Sequence, residues 1–278
     1  MLTISQSNGQ RFIVIGTART GSNLLQTLLN SHGAIRMYGE LYNLDNLSKE
    51  NLAEALVDPV TYLRKRLCPD RAGENRAIGF KMFYDHLTDE YFKKMIVSDV
   101  ADENLKKKFS DLDDYITSHH TTHDLNEKFR AAWNYLANDK DLKVIHLTRP
   151  NKLKTLVSLK TAYLTNQWMR LKQEEPSTIG FHLEYEECYN YFTRIDLHEK
   201  TCDAIFQDHD QLNITYDDLV KDKQQVANQV FDFLGLAHTP VNTILKKQIT
   251  YPLEDAIHNF HELKKAFRDS PWYQFFES

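Results

Sequence analysis

The stretch Phe12-Ile-Val-Ile-Gly16-Thr-Ala-Arg19-Thr-Gly21-Ser22-Asn23-Leu-Leu25 decides the fold. Its first four residues are uniformly apolar, the pattern of a strand buried on both faces of a parallel sheet. A turn bounded by Gly16 and Gly21 follows. Leu24, Leu25, Leu28 and Leu29 then recur at helical spacing, and His32-Gly33 supplies a stop signal. Strand, glycine-bounded turn and amphipathic helix together prepare a place for an anion. The backbone N–H groups of residues 20–23 converge at the helix N-terminus, where the helix dipole favours negative charge. Arg19, inside the turn, adds a planar fork suited to phosphate or sulfuryl oxygens.

The same alternation continues outward. Residues 77–83, 144–148 and 212–215 read as three further strands. Residues 153–163, 185–207 and 226–234 read as helices, the last closed by Gly235. Strands alternating with helices predict βαβ crossovers, hence an α/β, P-loop-like, three-layer fold with a central parallel sheet flanked by helices. With no internal repeat and no Gly/Ser/Pro-rich linker, residues 1–278 are expected to form a single domain. Residues 85–124, polar and charge-dense with three lysines at 106–108, are expected to be a helical insertion or lid, or a solvated face.

Composition narrows the function classes. Lys and Arg number 34 against 39 Asp and Glu, a net charge of −5, which argues against a general nucleic-acid binder. An apolar fraction of 41% with 26% charged residues is that of a soluble globular chain and excludes a disordered one. No apolar run approaches the roughly 20 residues of a membrane span. The first eleven residues lack the basic and apolar segments of a secretory signal. Cys68, Cys188 and Cys202 are odd in number and show no CxxC spacing, as free thiols of a reducing compartment would. The expectation is a cytoplasmic protein, at most peripheral to a membrane, with no transmembrane segment.

The turn has the glycine spacing of a phosphate loop but not its Gly-Lys-Ser/Thr ending. A nucleoside triphosphatase needs that lysine, and an acidic strand end to help hold Mg²⁺. Here Ser22 follows Gly21, and the strand at 144–148 runs into Arg149. A cation in that place suits a second anionic group better than a metal. Arg149 and Ser158 can bond one phosphate if the helix after the strand folds back beside the strand end. A P-loop small-molecule kinase is thereby weakened, and remains the rival enzyme reading.

The segments TARTGSNLL at 17–25 and LTRPNKLKTLVS at 147–158 resemble two motifs of one enzyme family. These are the 5′-phosphosulfate loop and the 3′-phosphate motif of the sulfotransferases that use 3′-phosphoadenosine 5′-phosphosulfate (PAPS). The arginine-to-serine interval is similar to the bacterial carbohydrate and glycolipid branch, trehalose 2-sulfotransferase-like in pattern. GFKMFYDH at 79–86, ITYDDLV at 214–220 and FDFLGL at 231–236 extend the resemblance over residues 11–236. Two positions depart from it: Asn23, where many relatives place Thr, and Pro150, where this branch often shows a second arginine.

The resemblance implies PAPS as donor and 3′-phosphoadenosine 5′-phosphate (PAP) as product, with no metal. It implies a hydroxyl acceptor on a small molecule, carbohydrate or glycolipid. Donor binding then falls to Arg19, Thr20, Gly21, Ser22, Asn23, Arg149 and Ser158. For catalysis, Arg19 and Lys81 supply positive charge at the leaving group, and Glu40 is the base. His86, five residues after Lys81, is the rival base. A non-catalytic PAPS- or PAP-binding relative is the third reading.

Three features lie outside these motifs. His119, His120 and His123 superficially invite a metal, but there is no HExxH, so a solvated helix face is expected. Trp168 can stack on adenine or sugar, or simply pack. The aromatic tail SPWYQFF at 270–276 is expected to dock on the domain or on a partner subunit, which leaves a homodimer open.

Overall fold

The computed structural model describes residues 9–67, 76–87, 100, 102–171, 179–245 and 251–277. Its frame is a sheet of five strands: β1 (Gln10–Gly16), β2 (Ile35–Glu40), β3 (Ala77–Phe83), β4 (Lys143–Thr148) and β5 (Gln211–Thr215). The spatial order is β2-β3-β1-β4-β5 with every neighbouring pair parallel, a P-loop-like arrangement. The four strands expected from the sequence are present. The fifth, β2, forms one edge and ends at Glu40.

Eleven described helices surround and extend the sheet. In chain order α1 is Ser22–Leu29, α2 Lys49–Val57, α3 Pro59–Leu67, α4 Glu103–His119 and α5 Thr122–Asn138. They continue with α6 Lys152–Thr165, α7 Tyr185–Ile205, α8 Tyr216–Lys221, α9 Lys223–Phe233, α10 Leu253–Ala256 and α11 Phe260–Ala266.

Alternation along the strands divides the core into two faces. Ile13 and Ile15 of β1 join Phe80 and Met82 of β3 under α2, α3 and α5, through Leu56, Leu63 and Leu136. Phe12 and Val14 point the other way, onto Leu25 and Leu28 of α1 and Val230 and Phe231 of α9. Both sides of β1 are therefore covered, which is why its sequence is uniformly apolar. Each large side chain so buried contributes about 1.5–3 kcal/mol. A third cluster joins α6 and α7 to the C-terminal segment, with Leu156, Tyr191 and Phe192 against Phe267, Phe275 and Phe276. The aromatic tail thus docks on its own chain, helped by Trp272 Nε1 donating to Asp196 Oδ2 at 3.1 Å.

In the charge-dense stretch, residues 88–99 and 101 lie outside the described residues. From Asp102 onward the chain is helical, and Leu105, Ile116 and Leu125 are buried, so α4 and α5 are packed helices and not a wholly solvated face. His119 and His123 are exposed, and His120 Nδ1 lies 3.7 Å from Asp124. Cys68 lies outside the described residues. Cys188 and Cys202 are free and buried, and burial pushes both thiols up, Cys202 to about 12. Among the described residues no helix is long and apolar enough to cross a membrane.

Candidate active site

The site forms where the C-terminal ends of β1 to β4 meet, the usual place for ligands on a parallel sheet. At Gly16 a Cβ would stand 2.3 Å from the Leu147 carbonyl oxygen, so the turn after β1 can start beside β4 only without a side chain. At Gly21 φ is +86°, and a Cβ would come 2.9 Å from the Tyr216 ring. Between them Arg19 is held at φ +69°, a conformation that costs a non-glycine residue about 1–2 kcal/mol. Thr20 is buried, and its hydroxyl donates to the Thr17 carbonyl at 2.8 Å, bracing the turn. Helices α2, α4, α5, α6 and α9 each begin on a side-chain cap, from Ser48, Asp102, Thr121, Asn151 and Asp222. Helix α1 begins on Gly21 with none, which leaves its first N–H groups for an outside acceptor.

Arg19 reaches from this turn to α6. Its Nε donates to Ser158 Oγ at 3.0 Å and its Nη1 to the Trp168 carbonyl at 2.6 Å. Arg149 Nη1 in turn donates to the Arg19 carbonyl at 3.4 Å, with its guanidinium 4.3 Å from the centre of the Tyr216 ring. Burial, and then the neighbouring Arg149, hold the Arg19 guanidinium down to about 10. Among the described residues no carboxylate lies within ion-pair distance of Arg149. Such a half-buried cation is well placed for an anionic ligand.

On the other side of the turn, Glu40 and Lys81 face each other from β2 and β3. Their Oε1 and Nζ are 3.2 Å apart, and the Lys81 side chain is only 3% exposed. Lys81 also donates to Asn23 Oδ1, and Asn43 Nδ2 donates to Glu40 Oε2 at 2.6 Å. Burial pushes the Glu40 carboxyl up, but Lys81, His86 and these hydrogen bonds outweigh it and hold the carboxyl below its ordinary range. Burial holds the Lys81 ammonium down, against the pull of Glu40. His86 is buried, and its Nδ1 accepts from the Phe83 N–H at 3.1 Å. A neutral His86 therefore carries its ring proton on Nε2.

Two cavities flank Arg19. One, of about 290 Å³, is lined by Arg19, Gly21, Ser22, Asn23, Arg149, Ser158 and Tyr216, together with Arg170 and Lys223. The other, of about 280 Å³, is lined by the polar Glu40, Asn43, Asp45, Asp85 and His86 and by Leu105, Phe109, Leu159 and Tyr163. Arg19, Ser22, Asn23, Trp168 and Met169 border both.

The structure thus gathers the residues singled out in the sequence, with two differences in detail. Lys81 borders neither cavity; it is spent on Glu40 and Asn23. The Thr20 side chain is likewise turned into the loop. Asn23, where the resemblance breaks, uses its side chain to hold Lys81. Sequence reasoning missed Arg170 and Lys223, which reach the site only through tertiary folding.

A model of the Sulfotransferase family matches residues 11–240. The chain belongs to the sulfotransferase family. This sulfotransferase is 27% identical over 283 residues to Nodulation protein H of Rhizobium meliloti (strain 1021), covering 99% of this chain and 98% of that protein. With Nodulation protein H of Rhizobium tropici it shares 29% over 273 residues, 96% and 92% of the two chains. A solved sulfotransferase from Alicyclobacillus acidocaldarius aligns over 96% of this chain and 94% of its own, at 15% identity and a TM-score of 0.47. As a sulfotransferase the enzyme moves a sulfuryl group, which displaces the kinase reading.

Proposed function

We propose that this sulfotransferase takes its sulfuryl group from PAPS and delivers it to a hydroxyl of a carbohydrate or glycolipid. The observation that carries the reading is the meeting of a cationic cavity and a carboxylate-bearing one at Arg19, Ser22 and Asn23. A donor in the first and an acceptor in the second would present their reacting groups to one another there.

The residues present fit the donor. The uncapped start of α1 offers N–H groups to a 5′-phosphosulfate, with Arg19 and Ser22 beside it. Arg149 and Ser158 border the same cavity and would hold the 3′-phosphate. When bound, PAPS supplies an electrophilic sulfuryl group on a 5′-phosphate leaving group. The loop amides and Arg19 offset the negative charge that gathers on that phosphate. Glu40, ionised at neutral pH, accepts the proton of the acceptor hydroxyl. Lys81 and Asn43 fix the Glu40 carboxylate from behind and from the side.

The acceptor side suits a polyol. Asn43 Oδ1 is buried without a hydrogen-bond partner among the described residues, next to the base. Asp45 and Asp85 add further acceptors, and Phe109, Tyr163 and Trp168 offer faces for a sugar ring. An alkyl hydroxyl, with a pKa far above 7, depends on a placed base more than a phenol does. Helix α4, which brings Leu105, Lys108 and Phe109 to this cavity, acts as a lid within a single catalytic domain. The free, unreactive thiols Cys188 and Cys202 suit the reducing cytoplasm.

The test is sulfate transfer from labelled PAPS to a panel of free sugars, glycolipids, phenols and steroids. Transfer to at least one sugar hydroxyl above every phenol is expected. A simple phenol outrunning every sugar would overturn the acceptor class, and no transfer from PAPS to any acceptor would overturn the donor.

A further inference from the structure

Helix α6 ends at Asn166, whose φ of 51° turns the chain back, and Trp168, Met169 and Arg170 then line the cationic cavity. Two ties hold this stretch. The Trp168 carbonyl accepts Arg19 Nη1, and Leu171 forms an antiparallel bridge with Leu245. The segment on the far side of that bridge is itself fastened to the loop helix. Thr243 and Thr27 share a hydroxyl hydrogen bond of 2.9 Å, and the Asn242 N–H donates to Ser31 Oγ at 3.3 Å. Between the two ties Met169 is turned outward, 53% exposed, and Arg170 inward, 8% exposed.

Arg170 therefore adds its charge to a cavity already bordered by Arg19, Arg149 and Lys223, and none of the described lining residues is acidic. Like charges gathered around a partly enclosed space raise one another's energy, and an anion entering that space relieves them all. One singly charged group would answer only part of this field. A nucleotide with two separated phosphate groups brings roughly three to four negative charges, at about −1.5 to −2 for each phosphate monoester.

We infer that Arg170 is a donor-binding residue, a third arginine that contacts an anionic group of the nucleotide alongside Arg19 and Arg149. The inference rests on the PAPS reading above. It also gives the 166–171 turn a purpose: it delivers a guanidinium to the donor, and the Arg19–Trp168 hydrogen bond sets where that guanidinium stands.

The experiment is calorimetry of PAP and of adenosine with the wild-type enzyme, Arg170→Ala and Arg170→Lys, with thermal melts of all three. Arg170→Ala should weaken PAP about 10- to 100-fold, the scale of one lost charge-assisted hydrogen bond. Adenosine, which has no anionic group, should bind all three alike, and Arg170→Lys should recover part of the PAP affinity. Wild-type-like PAP affinity in Arg170→Ala would overturn the inference. Equal losses for PAP and adenosine would overturn it too, since they would mark a purely structural role. A wild-type enzyme that did not prefer PAP to adenosine would instead defeat the PAPS reading itself.

Discussion

Glu40 and Lys81 stand opposite one another on adjacent parallel strands, just past a shift in register, and their side chains close a 3.2 Å ion pair. The pair keeps a carboxylate ionised where burial alone would favour its neutral form. That ionised carboxylate is the group a hydroxyl acceptor needs.

Glu40→Gln preserves the shape and removes the proposed base. Turnover should fall about 10²–10⁴-fold while PAP binding, measured by calorimetry, stays unchanged. His86→Ala should cost much less. The reverse ranking in steady-state kinetics would transfer the base role to His86.

The pH profile should carry the mark of Lys81. As the proposed base, Glu40 acts when deprotonated, and its pKa is held below the ordinary range, so activity should persist as pH falls and decline only in that lowered range. In Lys81→Met burial acts with less opposition, so the acid limb of kcat should move to higher pH. An unmoved limb would mean that another group sets it.

The same shift bears on stability. A carboxyl with a lowered folded pKa contributes stability that is present above its unfolded pKa and is lost as pH falls through the folded one. Thermal melts against pH should therefore show a steeper acid loss for the wild type than for Glu40→Gln.

Arg149→Ala should weaken PAP by about 1.5–3 kcal/mol and leave 5′-AMP nearly untouched, because the lost contact is charge-assisted and directed at the 3′-phosphate. Equal losses for the two nucleotides in the same titration would show that Arg149 reads the 5′ end.

Gly21→Ala forces a side chain into φ +86° and against the Tyr216 ring. The left-handed backbone alone costs about 1–2 kcal/mol, and the ring must also give way. Donor affinity should drop more than the melting temperature, because the damage is local to the turn. A fully wild-type titration would show that the turn tolerates the shift.

Much of this was legible in the chain itself, for a physical reason. A strand covered on both faces has to be apolar throughout, so β1 announces itself in residues 12–15. The turn has to be glycine-bounded because of the close approach to Leu147, and Arg149 is adjacent to a strand that must pair with β1. The edge strand β2 gave a weaker signal. Only Ile35 and Met37 are buried in it, Arg36 faces solvent and Gly39 interrupts it, so no strand is read there from the sequence. Arg170 gave none, since its value depends on a turn after α6, on a carbonyl offered to Arg19, and on a bridge to a residue more than seventy positions away. The inward use of Lys81 was likewise hidden. Its neighbours on β3 are buried on both faces, so the sequence places a lysine there without saying which partner takes it.

One detail of β2 sets which residue Lys81 meets. Ile35, Arg36 and Met37 pair in step with Ala77, Ile78 and Gly79, but Lys81 then meets Glu40, so β2 spends three residues where β3 spends two. Were the same residues paired in step throughout, Lys81 would meet Gly39 instead. Which residue Lys81 pairs with therefore hangs on a count along the backbone as much as on a side chain. Point substitution elsewhere in β2 preserves the count, whereas deleting one residue between Met37 and Glu40 would leave Glu40 opposite the lysine and remove the bulge.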